Sequence, residues 1–341
     1  MKIDKIVIEN SVANLPLTAK ILKTFEDLPI EFVEAITLSK IGYRPGELIV
    51  AQRRGKSIKN CPGTPVYQCC DYYVLNLGIG CFFNCHYCFL HHYMNSPLMI
   101  FVNLSELIAD VREFCSRRPK RIFRVGSGEF VDSLGLDEIV DFNSILVPEL
   151  SRIPNLLFEI KTKSKRVDHL LKLDHRGRVV ISWSLNPQEM IDEDEPETDS
   201  LIDRIKAAAR CQKAGYRVGL HFDPMIYYSG WEAGYSEVID MVFSNLRADR
   251  ISWISLGALR FNSALKPIIK KKFPGSKLIL GELIPGLDKK LRYFLPIRRR
   301  MFAVAVKRIR FHTKDVPVYL CMEDAALAAD VGASRLSQGD Y

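Results

Sequence analysis

No run in the 341 residues approaches the ~18 consecutive apolar positions that a membrane-spanning helix needs. The opening MKIDKIVIENSVANLPL is charged and lacks the continuous apolar stretch of a signal peptide, which points to the cytosol. Low-complexity tracts and repeats of solenoid period are also missing, so a stacked repeat architecture is excluded. Cysteine is scarce, with nine residues in all. In a reducing compartment thiols stay reduced, so cysteines that cluster there read as metal or redox ligands rather than disulfides.

The chain has enough apolar material for a sizeable core: 48% hydrophobic residues against 26% charged. Its length suits one large domain, or one domain with a modest appendage. Lys and Arg number 48 against 40 for Asp and Glu, a net charge of +8 that fits a polyanionic partner without demanding one.

Residues 1–65 read as a mixed, irregular extension with a short helix (TAKILKTFED) and a basic loop (AQRRGKSIKNCPGTP). From residue 72 a rhythm sets in. YYVLNL, RIFRV, LLFEI, VVISWSL, RVGLHF and ISWISL read as strands. Helical patterns lie between several of them: NLSELIADVREFCSRR, DEIVDFNSILVPEL, SLIDRIKAAARCQKAG and YSEVIDMVFSNL. Asn103 and Glu106 suggest a capping box, with Leu107, Ile108, Val111 and Phe114 on one face. Strands alternating with helices imply a parallel sheet with helical crossovers. About six units over residues 66–260 are too few for a closed eight-fold barrel but suit an α/β partial (β/α)6, TIM-like barrel. Residues 261–341 form a basic extension. In such barrels the active site sits at the C-terminal ends of the strands.

CFFNCHYCFL, directly after the first strand, places Cys81, Cys85 and Cys88 in a C-x3-C-x2-C pattern. A structural zinc normally takes four protein ligands, and neither His86, His91 nor the Cys69–Cys70 pair completes the usual two-pair spacing. A [4Fe–4S] cluster held by three thiolates fits better, since cluster ligands come on short, tight spacings. Three ligands leave one iron open to chelate a small molecule, which points to chemistry rather than simple electron transfer.

This motif, with an aromatic before the third cysteine, resembles the signature of the radical S-adenosylmethionine (SAM) superfamily. Within it, HYCFLHHYMNSP, KTKSKRVDHLL, SWSLNP, AAARCQKAGYRVGLHFDPMIYYSGWEAGY and ALKPIIKKKFPGSKL resemble the spore photoproduct lyase family, in order, over roughly residues 60–315. The resemblance implies the radical SAM partial barrel, a [4Fe–4S] cluster on Cys81, Cys85 and Cys88, and SAM on the open iron. It implies cleavage of SAM to a 5′-deoxyadenosyl radical and repair of a thymine dimer in DNA. It further implies SAM contacts from Ser127, Gly128 and Glu129 of RVGSGEF, a Lys163 partner for the SAM carboxylate, and a Ser184 hydrogen bond. Tyr87 would stand between cluster loop and substrate, and an electron donor such as a ferredoxin or flavodoxin would serve the cluster.

Each residue also has a plainer reading. GSG is a common turn, Lys163 lies in a basic run, Ser184 lies in an apolar strand, and Tyr87 could be core. Two positions depart from the family pattern. GSGEFVDSLGLD lacks the cysteine that returns the hydrogen atom, and Phe89 stands where a second tyrosine is expected. Cys69 and Cys70 are the expected alternative donors and Cys61 a weaker one, while Cys115, Cys211 and Cys321 read as packing within helical patterns.

From Lys289 to Arg310 there are nine basic residues and no acidic one. Tyr293, Phe294, Phe302 and Phe311 are interleaved with them. Cations neutralise phosphates while aromatics stack on or wedge between bases, so Arg292, Tyr293, Arg298 and Arg299 are candidate DNA contacts. The plainer reading is an amphipathic helix with a solvated basic face. The acidic run Asp192–Asp199 is expected to be a solvated loop away from any DNA track. The same radical chemistry on another substrate, and a metal-stabilised nucleic-acid-binding protein without catalysis, are the alternative functions.

Overall fold

All six apolar runs expected as barrel strands form: Tyr72–Leu75, Phe123–Gly126, Leu156–Thr162, Val179–Ser184, Arg217–Met225 and Ile251–Ala258. They lie side by side in chain order and in parallel, in a sheet that curls into a partial barrel. The structure is a computed structural model that describes residues 2–36, 46–64, 66–68, 70–93, 98–137 and 139–336. The fourth and sixth strands are buried along their whole length, as strands covered on both faces must be. Helices Leu104–Ser116, Phe142–Leu150, Leu201–Lys213 and Trp231–Asn245 carry four of the five crossovers. The step from third to fourth strand is made by turns.

Both edges of this sheet come from outside the six units. A seventh parallel strand, Val318–Leu320, joins the sixth, and Ile58–Asn60 pairs antiparallel with the first. The N-terminal segment is more regular than its sequence implied. Strands Ile30–Val33, Lys5–Glu9, Glu47–Ala51 and Leu98–Phe101 form a parallel sheet, extended antiparallel by Gly78–Ile79. Alternation sorts its side chains: Ile6, Ile8, Leu48, Val50 and Ile100 join the main core, while Ile49, Ala51, Met99 and Phe101 pack on the other face. A third, antiparallel sheet is formed by Arg260–Asn262, Lys290–Tyr293 and Leu283–Pro285. Among the described residues no helix is long and apolar enough to cross a membrane.

The expected capping box is replaced by a longer-range arrangement. Asn103 does stand at the N-cap, but its side chain makes no capping bond. Its Oδ1 instead accepts from the Arg53 amide at 2.8 Å, and its Nδ2 donates to Glu106 at 2.7 Å. The side chain therefore ties the helix to the loop before the barrel.

Beneath the mouth the barrel interior is polar. Arg124 pairs with Glu159 at 2.7 Å and donates to the Tyr319 hydroxyl at 3.0 Å. Glu159 also accepts from His221 Nε2 at 2.8 Å. Arg124 lies 3.9 Å from the Trp253 ring centroid and 5.2 Å from that of Tyr72. Buried charges persist only when paired and hydrogen-bonded, and this group meets both conditions.

Burial, followed by the Lys161 charge, lowers the His221 imidazole to about 4. The unfolded chain titrates near ~6.5, so it takes up a proton between about pH 6.5 and 4 that the folded chain refuses. Stability therefore falls as pH drops through that window, by at most about 1.4 kcal/mol per pH unit. The midpoint of chemical denaturation is expected to decline from about pH 7 to 5. His221→Gln keeps a donor toward Glu159 and should flatten that decline; an unaltered slope would place the pH sensitivity elsewhere.

Candidate active site

The cysteine loop leaves the barrel at the C-terminal end of the first strand, where Gly80 turns with φ +102° and its amide donates to Phe130 O at 3.1 Å. Cys85 is buried, Cys81 and Cys88 are half-buried, and none is in a disulfide. Burial pushes the Cys81 thiol up to about 12, with the Asp132 carboxylate adding to it. Burial likewise raises Cys85 and Cys88. Three thiolates here need a cationic centre to compensate them. Among the described residues, only Asp137, Asp141 and His169 bring three ligand atoms within 4.8 Å of one another. The three sulfurs are thus not gathered around a single ion. A donor set of thiolates spaced wider than a mononuclear site fits a cluster, which spreads its ligands over several irons.

The loop is clamped from outside. His86 Nδ1 donates to Asp194 Oδ1 at 2.9 Å, its amide donates to Asp194 O at 2.9 Å, and Ser276 Oγ donates to the same carboxylate at 2.8 Å. The Phe273 ring stacks on His86 at 4.0 Å. His91 Nε2 donates to Cys85 O at 3.0 Å, while its Nδ1 accepts from Lys272 Nζ at 3.0 Å. Burial, then the Lys272 charge, lowers the His91 imidazole to about 4, so the ring is neutral and one nitrogen is left to accept.

The candidate SAM residues gather at the strand ends beside this loop. Ser127 Oγ is 2.8 Å from Ser133 Oγ. At Gly128 a Cβ would stand 2.8 Å from Lys161 O, so only glycine lets the two strand ends approach. Glu129 is half-buried; burial raises its carboxyl, opposed first by Lys161. Asp132 ties this loop to the third strand, accepting from Thr162 Oγ1 at 2.6 Å and the Lys163 amide at 2.8 Å. Lys163 Nζ reaches Glu195 Oε1 at 3.9 Å and lies 5.7 Å from the Tyr87 ring centroid. Tyr87 donates its hydroxyl to the same Glu195 oxygen. Ser184, at the end of the fourth strand, is buried, and its carbonyl accepts from Arg204 Nη1 at 2.9 Å.

Glu195 is therefore the residue on which Tyr87 and Lys163 converge. Arg204 pairs with its other oxygen at 2.7 Å, and Asn186 Nδ2 donates to Oε1 at 2.8 Å. Burial opposes its charge, but Lys163 and then Arg204 outweigh burial and hold the carboxyl at about 2. Asp194 and Glu195 are 2% and 1% exposed, so the acidic run is not the solvated loop that its composition implied. Its middle turns inward, and basic partners outweigh desolvation at Glu195 but not at Asp194, whose carboxyl burial raises. Nothing in the run of charge itself marks those two residues: Arg204, on the helix that Ser200 caps, reaches Glu195, while His86 and Ser276 reach Asp194.

The expected donors and DNA contacts are placed differently from one another. Cys69 lies outside the described residues. Cys70 precedes the first strand and packs against Leu157, Val180, Trp253 and Tyr319, in the strands' N-terminal halves. Cys70 also lies within electrostatic range of Cys321, beyond the end of the seventh strand. The Cys61 amide donates to Tyr72 O at 2.9 Å, at the start of the same strand. Cys321 lies directly after the seventh strand and not in a helix. It accepts from Arg260 Nη2 at 3.2 Å, and Arg260 is held by Asp223 at 2.9 Å. Phe89 packs edge-on to Phe130 at 6.1 Å.

In the basic tail, three of the four candidate contacts are buried. Arg292 pairs with Asp288 at 2.7 Å, donates to Met322 O at 2.9 Å and lies 4.4 Å from the Tyr67 ring centroid. Tyr293 accepts from the Tyr227 amide at 3.1 Å through its hydroxyl. Arg298 donates to Tyr293 O at 2.9 Å and pairs with Glu323. Only Arg299 faces solvent, and it pairs with Asp330 at 2.9 Å. Asp288 and Glu323 flank the basic run in sequence and neutralise the arginines that fold inward.

The family model for spore photoproduct lyase matches residues 1–284. The spore photoproduct lyase of Geobacillus sp. (strain Y412MC61) is 26% identical over 288 residues, covering 80% of this chain and 83% of that protein. That of Bacillus subtilis (strain 168) is 27% identical over 291 residues, covering 81% and 84%. A solved spore photoproduct lyase complexed with dinucleoside spore photoproduct superposes with a TM-score of 0.82 at 22% identity, over 94% of this chain and 99% of that one. A variant with bound AdoMet and the same dinucleoside gives 0.81, with the same identity and coverage. These two share the fold described above. With a three-thiol loop at the mouth of that fold and the family model spanning most of its length, this chain belongs to the spore photoproduct lyase family.

Proposed function

We propose that this protein is a radical SAM lyase that repairs a thymine dimer of the spore photoproduct type in DNA. The observation that carries the proposal is the convergence of Cys81, Cys85 and Cys88 with Tyr87, Lys163 and Glu195 at the strand ends of a spore photoproduct lyase barrel. Cys81, Cys85 and Cys88 would hold a [4Fe–4S] cluster. When bound, that cluster supplies the electron that cleaves SAM and so provides the adenosyl radical.

The chain's own residues do the rest. Lys163 presents an ammonium for the SAM carboxylate. The backbone at Ser127 and Gly128 permits close approach of the nucleoside, with Glu129 beside it to receive an ammonium or ribose hydroxyl. Glu195 is a positioning residue: with Arg204 behind it, it fixes the Tyr87 ring and the reach of Lys163. Arg299 and the hairpin Leu283–Tyr293 supply contacts for DNA. Leu287, at the hairpin tip, is 79% exposed and offers an apolar wedge beside a displaced base.

A second reading keeps the radical chemistry and changes the substrate. It is favoured by Phe89 and by Val131, buried in the loop where the family's cysteine is absent. Anaerobic reconstitution with iron and sulfide, followed by incubation with dinucleoside spore photoproduct, SAM and a reductant, separates the two. Recovery of thymine supports the lyase. Formation of 5′-deoxyadenosine with an untouched dimer supports the second reading, and stoichiometric zinc without sulfide would remove both.

Alanine at Cys81, Cys85 or Cys88 is expected to abolish both iron–sulfide uptake and thymine recovery, as read by iron analysis and chromatography. Cys321→Ala should divert the repaired product to by-products while Cys70→Ala leaves it clean, in a product analysis by mass spectrometry; the reverse pattern would return the donor role to Cys70. Glu195→Gln is expected to weaken SAM binding about tenfold in equilibrium titration, because Lys163 and Tyr87 lose a charged partner. Unchanged affinity would reduce Glu195 to a packing role.

A further inference from the structure

We propose that the exposed lysines of helix Leu265–Lys272 are the landing surface for an acidic one-electron carrier protein that reduces the cluster; this rests on the radical SAM reading above. The helix reads LKPIIKKK and buries Leu265 and Ile269, leaving Lys266, Lys270 and Lys271 in solvent. Among the described residues none of these three has an acidic partner. The contrast is with helix Leu295–His312, where Arg299, Arg300 and Arg308 pair with Asp330, Glu232 and Asp240. The larger basic run in the sequence is therefore mostly neutralised, and the shorter one is not.

The unneutralised helix is also the one fixed to the cysteine loop. Its last residue, Lys272, donates to His91, which donates to the carbonyl of Cys85. Phe273, its C-cap, stacks on His86 and meets His91 edge-on at 5.2 Å. A carrier seated on Lys266, Lys270 and Lys271 would stand directly over two of the residues that flank the ligands. Electron transfer needs short separation and brief encounters, and complementary charge supplies fast association without tight binding. Of the acids beside the helix, Glu193 is paired with Lys277 at 2.8 Å, Glu189 acts on the same lysine and Asp194 is buried.

Nucleic acid is the competing partner for any basic face. Of the exposed apolar and aromatic side chains that could wedge or stack, Leu287, Phe294 and Phe311 lie on the hairpin and on or beside helix Leu295–His312, and Leu280 lies beyond the lysine helix in the segment that leads to the hairpin. The exposed face of Leu265–Lys272 carries lysines and Pro267 alone. Balance at this surface is simple: the reduced carrier, a flavin or iron–sulfur protein, loses one electron and the cluster gains one, with no atom crossing.

The test reverses two charges, Lys270→Glu with Lys271→Glu, and leaves Lys272 on His91. Flavodoxin hydroquinone is mixed with the reconstituted enzyme in stopped flow, and cluster bleaching is followed at low and high salt. The variant should react about tenfold more slowly at low salt and lose the salt dependence of the parent. Calorimetric titration of flavodoxin into the unreconstituted chain should show the same weakening without turnover. Bleaching by dithionite, SAM cleavage with dithionite and affinity for a thymine oligonucleotide should be unchanged. Equal carrier rates in parent and variant, with dithionite reduction intact, overturn the surface and leave the lyase reading standing. If oligonucleotide affinity falls while carrier rates hold, the lysines serve DNA and the proposal is likewise overturned. A parent chain that takes up no iron and sulfide overturns the radical SAM reading and this surface with it.

Discussion

A buried carboxylate holds the mouth of this barrel in one geometry. Glu195 accepts from Tyr87 and Asn186, faces Lys163, and is neutralised from behind by Arg204. Those partners come from the cysteine loop, the end of the fourth strand, the end of the third strand and a crossover helix. An uncompensated charge in that setting would be strongly destabilising, so the four elements must arrive together or not at all. Shape at the mouth is thus set by electrostatics, whereas the helices around it are placed by apolar burial.

The same division runs down the barrel axis. Arg124, Glu159, His221 and Tyr319 satisfy one another across the second, third, fifth and seventh strands. Apolar contacts are non-directional and tolerate small shifts in strand position; a closed hydrogen-bond set does not. Layers of this kind keep the strand ends in register, and the strand ends carry the candidate SAM residues. Asp132 repeats the device locally, binding the Lys163 amide from the neighbouring loop.

The repeating core was legible in the sequence. Each of the six strands is a short apolar run, and helix Leu201–Lys213 opens on Ser200, whose side chain caps it as such residues do. The cysteine loop was legible because three thiols at tight spacing have few other uses. The N-terminal sheet was not, since its strands are short and one of its partners, Leu98–Phe101, lies beyond the cysteines. Cys321 looked helical because its neighbours Met322, Glu323 and Ala325 suit a helix, but Met322 adopts φ +60° and turns the chain at the strand end. Asp194 and Glu195 were hidden because burial of an acid depends on partners brought by tertiary structure, His86 and Ser276 for the first, Lys163 and Arg204 for the second. The arginines of the tail were misleading for the same reason: their carboxylates, Asp288 and Glu323, lie outside the run.

The feet of the cysteine loop are joined to each other. Gly78 pairs with Ile100 and Ile79 with Met99, and both segments are built into the N-terminal sheet. The excursion that would carry the irons is therefore a ring already shut by main-chain bonds, and much of its closure entropy is spent when the polypeptide folds. Small metal-dependent domains collapse when stripped. Here, oxidative loss of inorganic sulfide and iron would leave an intact, refillable vessel, so damage by air should be a matter of repair in place and not of resynthesis.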